Sequence, residues 1–186
     1  RAAIAAWADV LGHDPTASEA LDALERLYTA GGSWTDLVDV LRRRLELSTN
    51  PVARRELLGR IAAIHEDRLR DDTDATSAYR AILDEFPEDD PALEALARLL
   101  QRNERWPDLE EALERRLALA WHGDAKVQLL AQMGTLAEHK LGRPDQALDR
   151  YRDLLALEPE HDGARAGLER MLEDEGLRLR VAEVLE

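Results

Sequence analysis

Residues 34–105 lie over residues 106–177 without a gap, and 24 of those 72 positions are identical. Trp34 opens WTDLVDVLRRRLEL and Trp106 opens WPDLEEALERRLAL, while Tyr79 and Tyr151 hold the same place further along each copy. The same step carries Pro15 to Pro87 to Pro159, Leu24 to Leu96 to Leu168, and Arg26 to Arg98 to Arg170; it also sets Trp7 one step before Tyr79. Register held over that length means a chain of like units, each too small to bury its own apolar face and each covered by its neighbours.

Apolar spacing inside the repeat is helical throughout. Leu37, Leu41 and Leu45, then Leu57, Leu58, Ile61 and Ile64, follow the i, i+3, i+4, i+7 pattern of an amphipathic helix, and no stretch alternates with a period of two. Breaks fall at AGGS (30–33), TNP (49–51), FPEDDP (86–91), LGRP (141–144) and EPEHDG (158–163). Thr16 with Glu19 and Ser33 with Asp36 have capping-box spacing. Eleven helices are expected, near 1–11, 16–30, 33–48, 51–70, 73–86, 89–103, 106–121, 123–141, 144–157, 160–175 and 177–186. The fold class that follows is all-α, an α-solenoid of stacked antiparallel hairpins with a 72-residue double-hairpin period. Residues 1–186 form a single array: hairpins at 16–48, 51–86, 89–121, 123–157 and 160–186 follow an unpaired helix at 1–11.

Composition narrows the function. A net charge of −14 and a pI near 4.8 argue against a general affinity for nucleic acid or an anionic membrane. The absence of cysteine removes disulfides and thiolate metal sites. No apolar run approaches the roughly 20 residues that a membrane span needs. The chain begins at Arg1 without a signal peptide, which reads as a segment of a longer protein, with the cytoplasm as the expected compartment. Ile4, Trp7, Val10 and Leu11 at one end, and Leu177, Leu179, Val181, Val184 and Leu185 at the other, are expected to leave apolar area in water and to support self-association through the terminal helices.

Residues 129–161 resemble the tetratricopeptide repeat. The large–small pair is Met133-Gly134, the turn glycine Gly142, the small residue Ala147, the aromatic Tyr151 and the terminal proline Pro159. The copy at 57–87 offers Ile61-Ala62, Ala75, Tyr79 and Pro87, with Arg70 in place of the turn glycine. Both copies carry one residue more before the turn than the family's 34-residue form. The hairpins at 18–48 and 90–120 are more divergent, with Leu37 or Leu109 where the family has a small residue. The resemblance implies a right-handed superhelix whose concave groove is lined by the first helix of each hairpin and holds a peptide or partner domain. The Lys and Asn clamp of chaperone-binding members is absent, since the only asparagines, Asn50 and Asn103, sit at helix ends.

Catalytic and metal constellations are not evident. His13, His65, His122, His139 and His161 lack metal-ligand spacing, and His65 gives way to Ala137 in the next copy. Asp71, Asp72 and Asp74 look like the start of a calcium loop, but the turn glycine is missing and the twelfth position is Leu83, so helix capping is their expected role. With no nucleophile–base pair and no phosphate loop, no enzyme activity, metal or cofactor is expected.

What remains is a binding surface. On the groove that the resemblance implies, Arg26, Arg98 and Arg170 recur, as do Glu66 and Glu138, either as an Arg–Glu ladder between first helices or as a stripe gripping acidic peptides. Around them Glu56, Glu94, Gln101, Arg102, Gln128 and His139 vary between copies and would set specificity. Trp7, Trp34 and Trp106 hold aromatic positions of the repeat and are expected to pack. Trp121 stands where the other copy has Thr49, either capping the seam between hairpins or contacting a partner. The expected function is a non-catalytic protein–protein interaction scaffold; the alternative is a structural spacer or oligomerisation module.

Overall fold

The computed structural model describes residues 1–185, with side chains through Val184, so Leu185 and Glu186 of the expected last helix lie outside the described side chains. Among the described residues there are eleven α-helices and no strand. They are α1 (Ala2–His13), α2 (Ser18–Gly31), α3 (Trp34–Leu47), α4 (Pro51–Ile64), α5 (Asp72–Glu85) and α6 (Asp90–Arg102), then α7 (Trp106–Leu119), α8 (Gly123–Leu136), α9 (Pro144–Leu157), α10 (Asp162–Met171) and α11 (Arg178–Leu185). The fold is the expected all-α stack of helical hairpins. One boundary differs by more than the fraying of an end. Helix α10 stops at Met171 instead of near 175, because Glu173, Asp174 and Glu175 would crowd negative charge at a helix C-terminus. The Asp174 carboxylate instead accepts from the Gly176 amide at 2.8 Å, closing a turn.

Side-chain caps fall at other places than the two proposed boxes. Ser33 and Thr16 cap nothing; Thr16 donates its amide and hydroxyl to Asp14 Oδ1 at 2.9 and 2.8 Å, so its side chain is already engaged. Asn50, Asp71, Asp89 and His161 do cap, accepting from amides of the first turns that follow them.

The extra residue counted in two hairpins has a structural form. Helix α4 runs into a π-helical turn at His65–Leu69, and α8 into another at Ala137–Leu141. A π turn absorbs one added residue without breaking the helix. Each ends on a left-handed residue, Arg70 (φ 56°) or Gly142 (φ 62°), after which the amide of residue 71 or 143 bonds back to the carbonyl of His65 or Ala137 at 2.9 Å. Glycine takes that conformation freely; Arg70 takes it at a cost of about 1 kcal/mol.

The chain divides into two compact units, residues 1–92 and 93–186. In the first, each helix packs on the next. Leu37, Val38 and Leu41 of α3 meet Leu57, Ile61 and Ala62 of α4, and a second cluster joins Leu21 and Leu24 of α2 to Val40 and to half-buried Ile4, Trp7 and Leu11 of α1. Helix α1 has no fully buried residue, because only one of its sides is covered, and Val10 stays 39% exposed.

In the second unit the core forms around Tyr151, which is 2% exposed. Its ring fills a slot between Gly134 of α8 and Gly167 of α10; a Cβ on either would come within 2.4 or 2.6 Å of it. Leu177, in the turn before α11, and Val181 of α11 close this core, with Val184 packed at its edge, whereas Leu179 is 81% exposed.

Candidate functional site: the first-helix face

The first helices of the hairpins are α2, α4, α6, α8 and α10, and side-chain rungs join neighbours among them within each unit. In the first unit Glu25 of α2 meets Arg60 of α4 at 2.7 Å, and the same carboxylate takes Arg44 of α3 at 2.7 Å. In the second unit Gln132 of α8 donates to Gln101 of α6 at 3.3 Å, and Arg170 of α10 grips Glu138, at the π turn after α8, through Nε and Nη2 at 2.9 Å each.

Glu138 is the most elaborated of these groups. Its side chain is 12% exposed and accepts from the Tyr151 hydroxyl at 2.8 Å, with His139 Nε2 at 3.6 Å. Burial pushes the carboxyl up, but the bonds from Arg170 and Tyr151 outweigh it and hold Glu138 below the usual carboxylate range. Burial, followed by the bond to Glu138, drives the Tyr151 phenol up to about 12. Since Arg170 spends its bidentate capacity inside the chain, it serves as a rung and not as a grip for a foreign carboxylate.

Arg26 forms no such rung. Its Nε donates to the Asp22 carbonyl of its own helix at 3.3 Å, and the acid that bridges α2 to α4 is its neighbour Glu25, one residue and about 100° round the helix. Glu25, Arg60 and Gln132 were missed because their counterparts 72 positions away (Ala97, Gln132 and Arg60) differ in type, so a search for recurring residues passes over them. Glu66, 6% exposed, accepts from Tyr79 at 3.2 Å. Glu56, Glu94, Arg98, Gln101, Arg102, Gln128 and His139 are exposed, and Glu94 meets Arg116 of α7 at 3.4 Å.

The tryptophans separate into two kinds. Trp34 and Trp106 are half-buried, each under a cation 5.0 Å from the ring centroid, Arg68 over one and Lys140 over the other. Trp121, in the link between α7 and α8, is 92% exposed. A side chain that open covers no seam, so the capping role is excluded.

Two further arrangements were not legible in the sequence. A cleft of about 460 Å³ opens in the first unit among α1, α2 and α3, with Leu11, Leu24, Tyr28 and Val40 as its apolar lining and Asp36, Asp39, Arg42 and Arg43 as its polar lining. Burial, then the Asp36 and Asp39 charges, raise the Tyr28 phenol. Contrary to the scattered spacing of the histidines, the structure also brings His65 together with Asp71 and Asp74. The three are drawn in by the π turn, which no ligand-spacing rule for a regular helix anticipates.

Two segments, residues 20–51 and 92–122, match the tetratricopeptide repeat family. Those two segments are tetratricopeptide repeats. These matches cover the α2–α3 and α6–α7 hairpins, which the sequence pattern marked as the more divergent; the π-turn hairpins α4–α5 and α8–α9 lie outside them. No curated protein matches the chain in sequence. Among solved structures, MamA is 16% identical with a TM-score of 0.54, the match covering 87% of this chain and 90% of that one. YrrB, described as a TPR protein with an unusual peptide-binding site, is 15% identical with a TM-score of 0.50, covering 87% and 79%. At those identities what is shared with these tetratricopeptide proteins is the fold. No helix among the described residues is long and apolar enough to cross a membrane.

Proposed function

We propose that this tetratricopeptide-repeat chain is a non-catalytic interaction scaffold that holds a peptide or partner domain against its first-helix face. The observation that carries the reading is the set of rungs Glu25–Arg60, Gln101–Gln132 and Glu138–Arg170, which fix neighbouring first helices side by side within each unit. Such a face stays rigid, so little ordering entropy is lost when a partner docks. Arg98, Arg102, Gln128 and His139 are among its exposed polar groups, and Trp121 is the open aromatic beside it in sequence; solvent-exposed tryptophan is over-represented among residues that dominate binding energy. The peptide-binding description of YrrB supports the same reading.

A pull-down with the chain, repeated with Arg98→Glu plus Arg102→Glu and with Arg152→Glu on the second helix α9, tests it. A partner retained by the α9 variant and lost by the α6 variant is the expected result. A partner lost by neither places binding elsewhere, and no partner favours the structural spacer. Self-association through the terminal helices is proposed as a weak contact carried by Val10 and Leu179.

A further inference from the structure

His65 is 5% exposed, and neither of its ring nitrogens has a hydrogen-bond partner. A buried imidazole left this way has lost its water and gained nothing in return. Its Nε2 lies 3.7 Å from Asp74 Oδ2, too far for a hydrogen bond. One ligand atom each from His65, Asp71 and Asp74 lies within 4.8 Å of the others. An ion bound at about 2.1 Å by each ligand sets neighbouring ligands about 3.4 Å apart, so a small contraction of this cluster suffices.

Local backbone makes the cluster. The π turn and left-handed Arg70 fold the end of α4 back, so that the Asp71 amide bonds to the His65 carbonyl at 2.9 Å. Asp71 Oδ1 accepts from the Asp74 amide at 3.0 Å, which keeps both carboxylates at the start of α5 and leaves the other Asp71 oxygen for an ion.

The chain carries its own control. The same π turn and return bond recur after α8, where the three positions are Ala137, Arg143 and Gln146. Ala137 is 3% exposed, so an alanine fills that place without difficulty. Neither the turn nor its packing requires an imidazole or an acid at these positions, and the first copy has all three.

We propose that His65, Asp71 and Asp74 bind one divalent transition-metal ion of the zinc class, with water completing its coordination. One imidazole with two carboxylates suits zinc and its neighbours better than calcium or magnesium, which take oxygen ligands. Bound there, the ion ties the end of α4 to the start of α5 and gives His65 its missing partner. Arg42 is the built-in competitor, with Nη2 3.4 Å from Asp74 Oδ2 and Nη1 3.9 Å from Asp39.

Zinc alone is titrated into chelator-treated chain by calorimetry, with long-range proton–nitrogen spectra following all five imidazole rings. One equivalent binds in the micromolar range or tighter, and one ring shifts, the one missing from the spectrum of His65→Gln. Asp74→Asn, on a partly exposed side chain, weakens binding at least about tenfold. Arg42→Gln strengthens it and His139→Gln leaves it unchanged; circular dichroism verifies the fold of each variant. Absence of saturable binding in the micromolar range overturns the proposal. So does binding that survives both His65→Gln and Asp74→Asn, because other exposed groups then hold the ion.

Discussion

Arg170 closes both its Nε and its Nη2 on the Glu138 carboxylate at 2.9 Å, tying α10 to the π turn after α8. Arg170 is about half exposed, but Glu138 is not, and a carboxylate with so little access to water depends on its partners. Glu138→Gln keeps the shape and removes the charge, and at neutral pH it is expected to cost about 1–3 kcal/mol in urea unfolding.

The same pair fixes an acid limb. Because the folded pKa of Glu138 is depressed, the unfolded chain binds the proton more readily than the native one. Its contribution is therefore complete above the ordinary carboxyl value of about 4.3 and is lost as pH falls through the folded value. Urea midpoints measured down that range should fall less steeply in Glu138→Gln than in the wild type.

Two glycines in first helices should respond in opposite directions to alanine. Gly134 faces the Tyr151 ring, and its new Cβ would lie 2.4 Å from Cε1. The gain in helix propensity, about 1 kcal/mol, is outweighed by overpacking at about 1–3 kcal/mol. Gly59 has nothing within 4 Å of a Cβ, so Gly59→Ala should stabilise by about 0.5–1 kcal/mol. Thermal unfolding of the two variants checks both signs. Ala62 stands where the second copy has Gly134, and Tyr79, which packs on the same cluster as Ala62, is only half-buried while Tyr151 is buried, the outcome expected when a methyl occupies part of the slot.

The helices were legible because their apolar spacing and their Gly and Pro breaks are properties of neighbouring residues. The extra residue before Arg70 and Gly142 could be counted, but its conversion into a π turn depends on helix packing that no local pattern encodes. Recurrence found Glu138 and Arg170, which keep their type in both copies. It failed at Glu25–Arg60 and Gln101–Gln132, where similar jobs fall to different residues, and at His65, whose environment is made by that turn. The capping boxes failed for a local reason, since Thr16 finds Asp14 before it can reach a helix amide.

Trp121 should govern quenching of the intrinsic fluorescence. Trp34 and Trp106 are half-buried under cations, Trp7 packs against α2, and Trp121 is 92% exposed. Trp121→Phe should remove the red-shifted component most accessible to iodide and change stability by less than about 0.5 kcal/mol, as expected for a surface position. Quenching that is unchanged in the variant would show that the ring is covered in solution.

Self-association, if carried by the terminal helices, should be weak and should depend on Leu179. Leu177 and Val181 are buried in the second unit and Val184 packs at its edge, so among the described side chains of α11 Leu179, at 81% exposure, is the main apolar one offered to a second copy. On α1, Ile4, Trp7 and Leu11 are held against α2 and Val10 stays exposed. Burying one leucine side chain contributes about 2 kcal/mol, far less than the roughly 8 kcal/mol that a micromolar complex requires. The net charge of −14 on each copy opposes contact, and salt screens that repulsion beyond about 10 Å. Sedimentation should therefore find a monomer at micromolar concentration and a shift toward dimer only at high protein and high salt. Leu179→Glu should abolish the shift; a dimer that persists in this variant would place the contact on another surface.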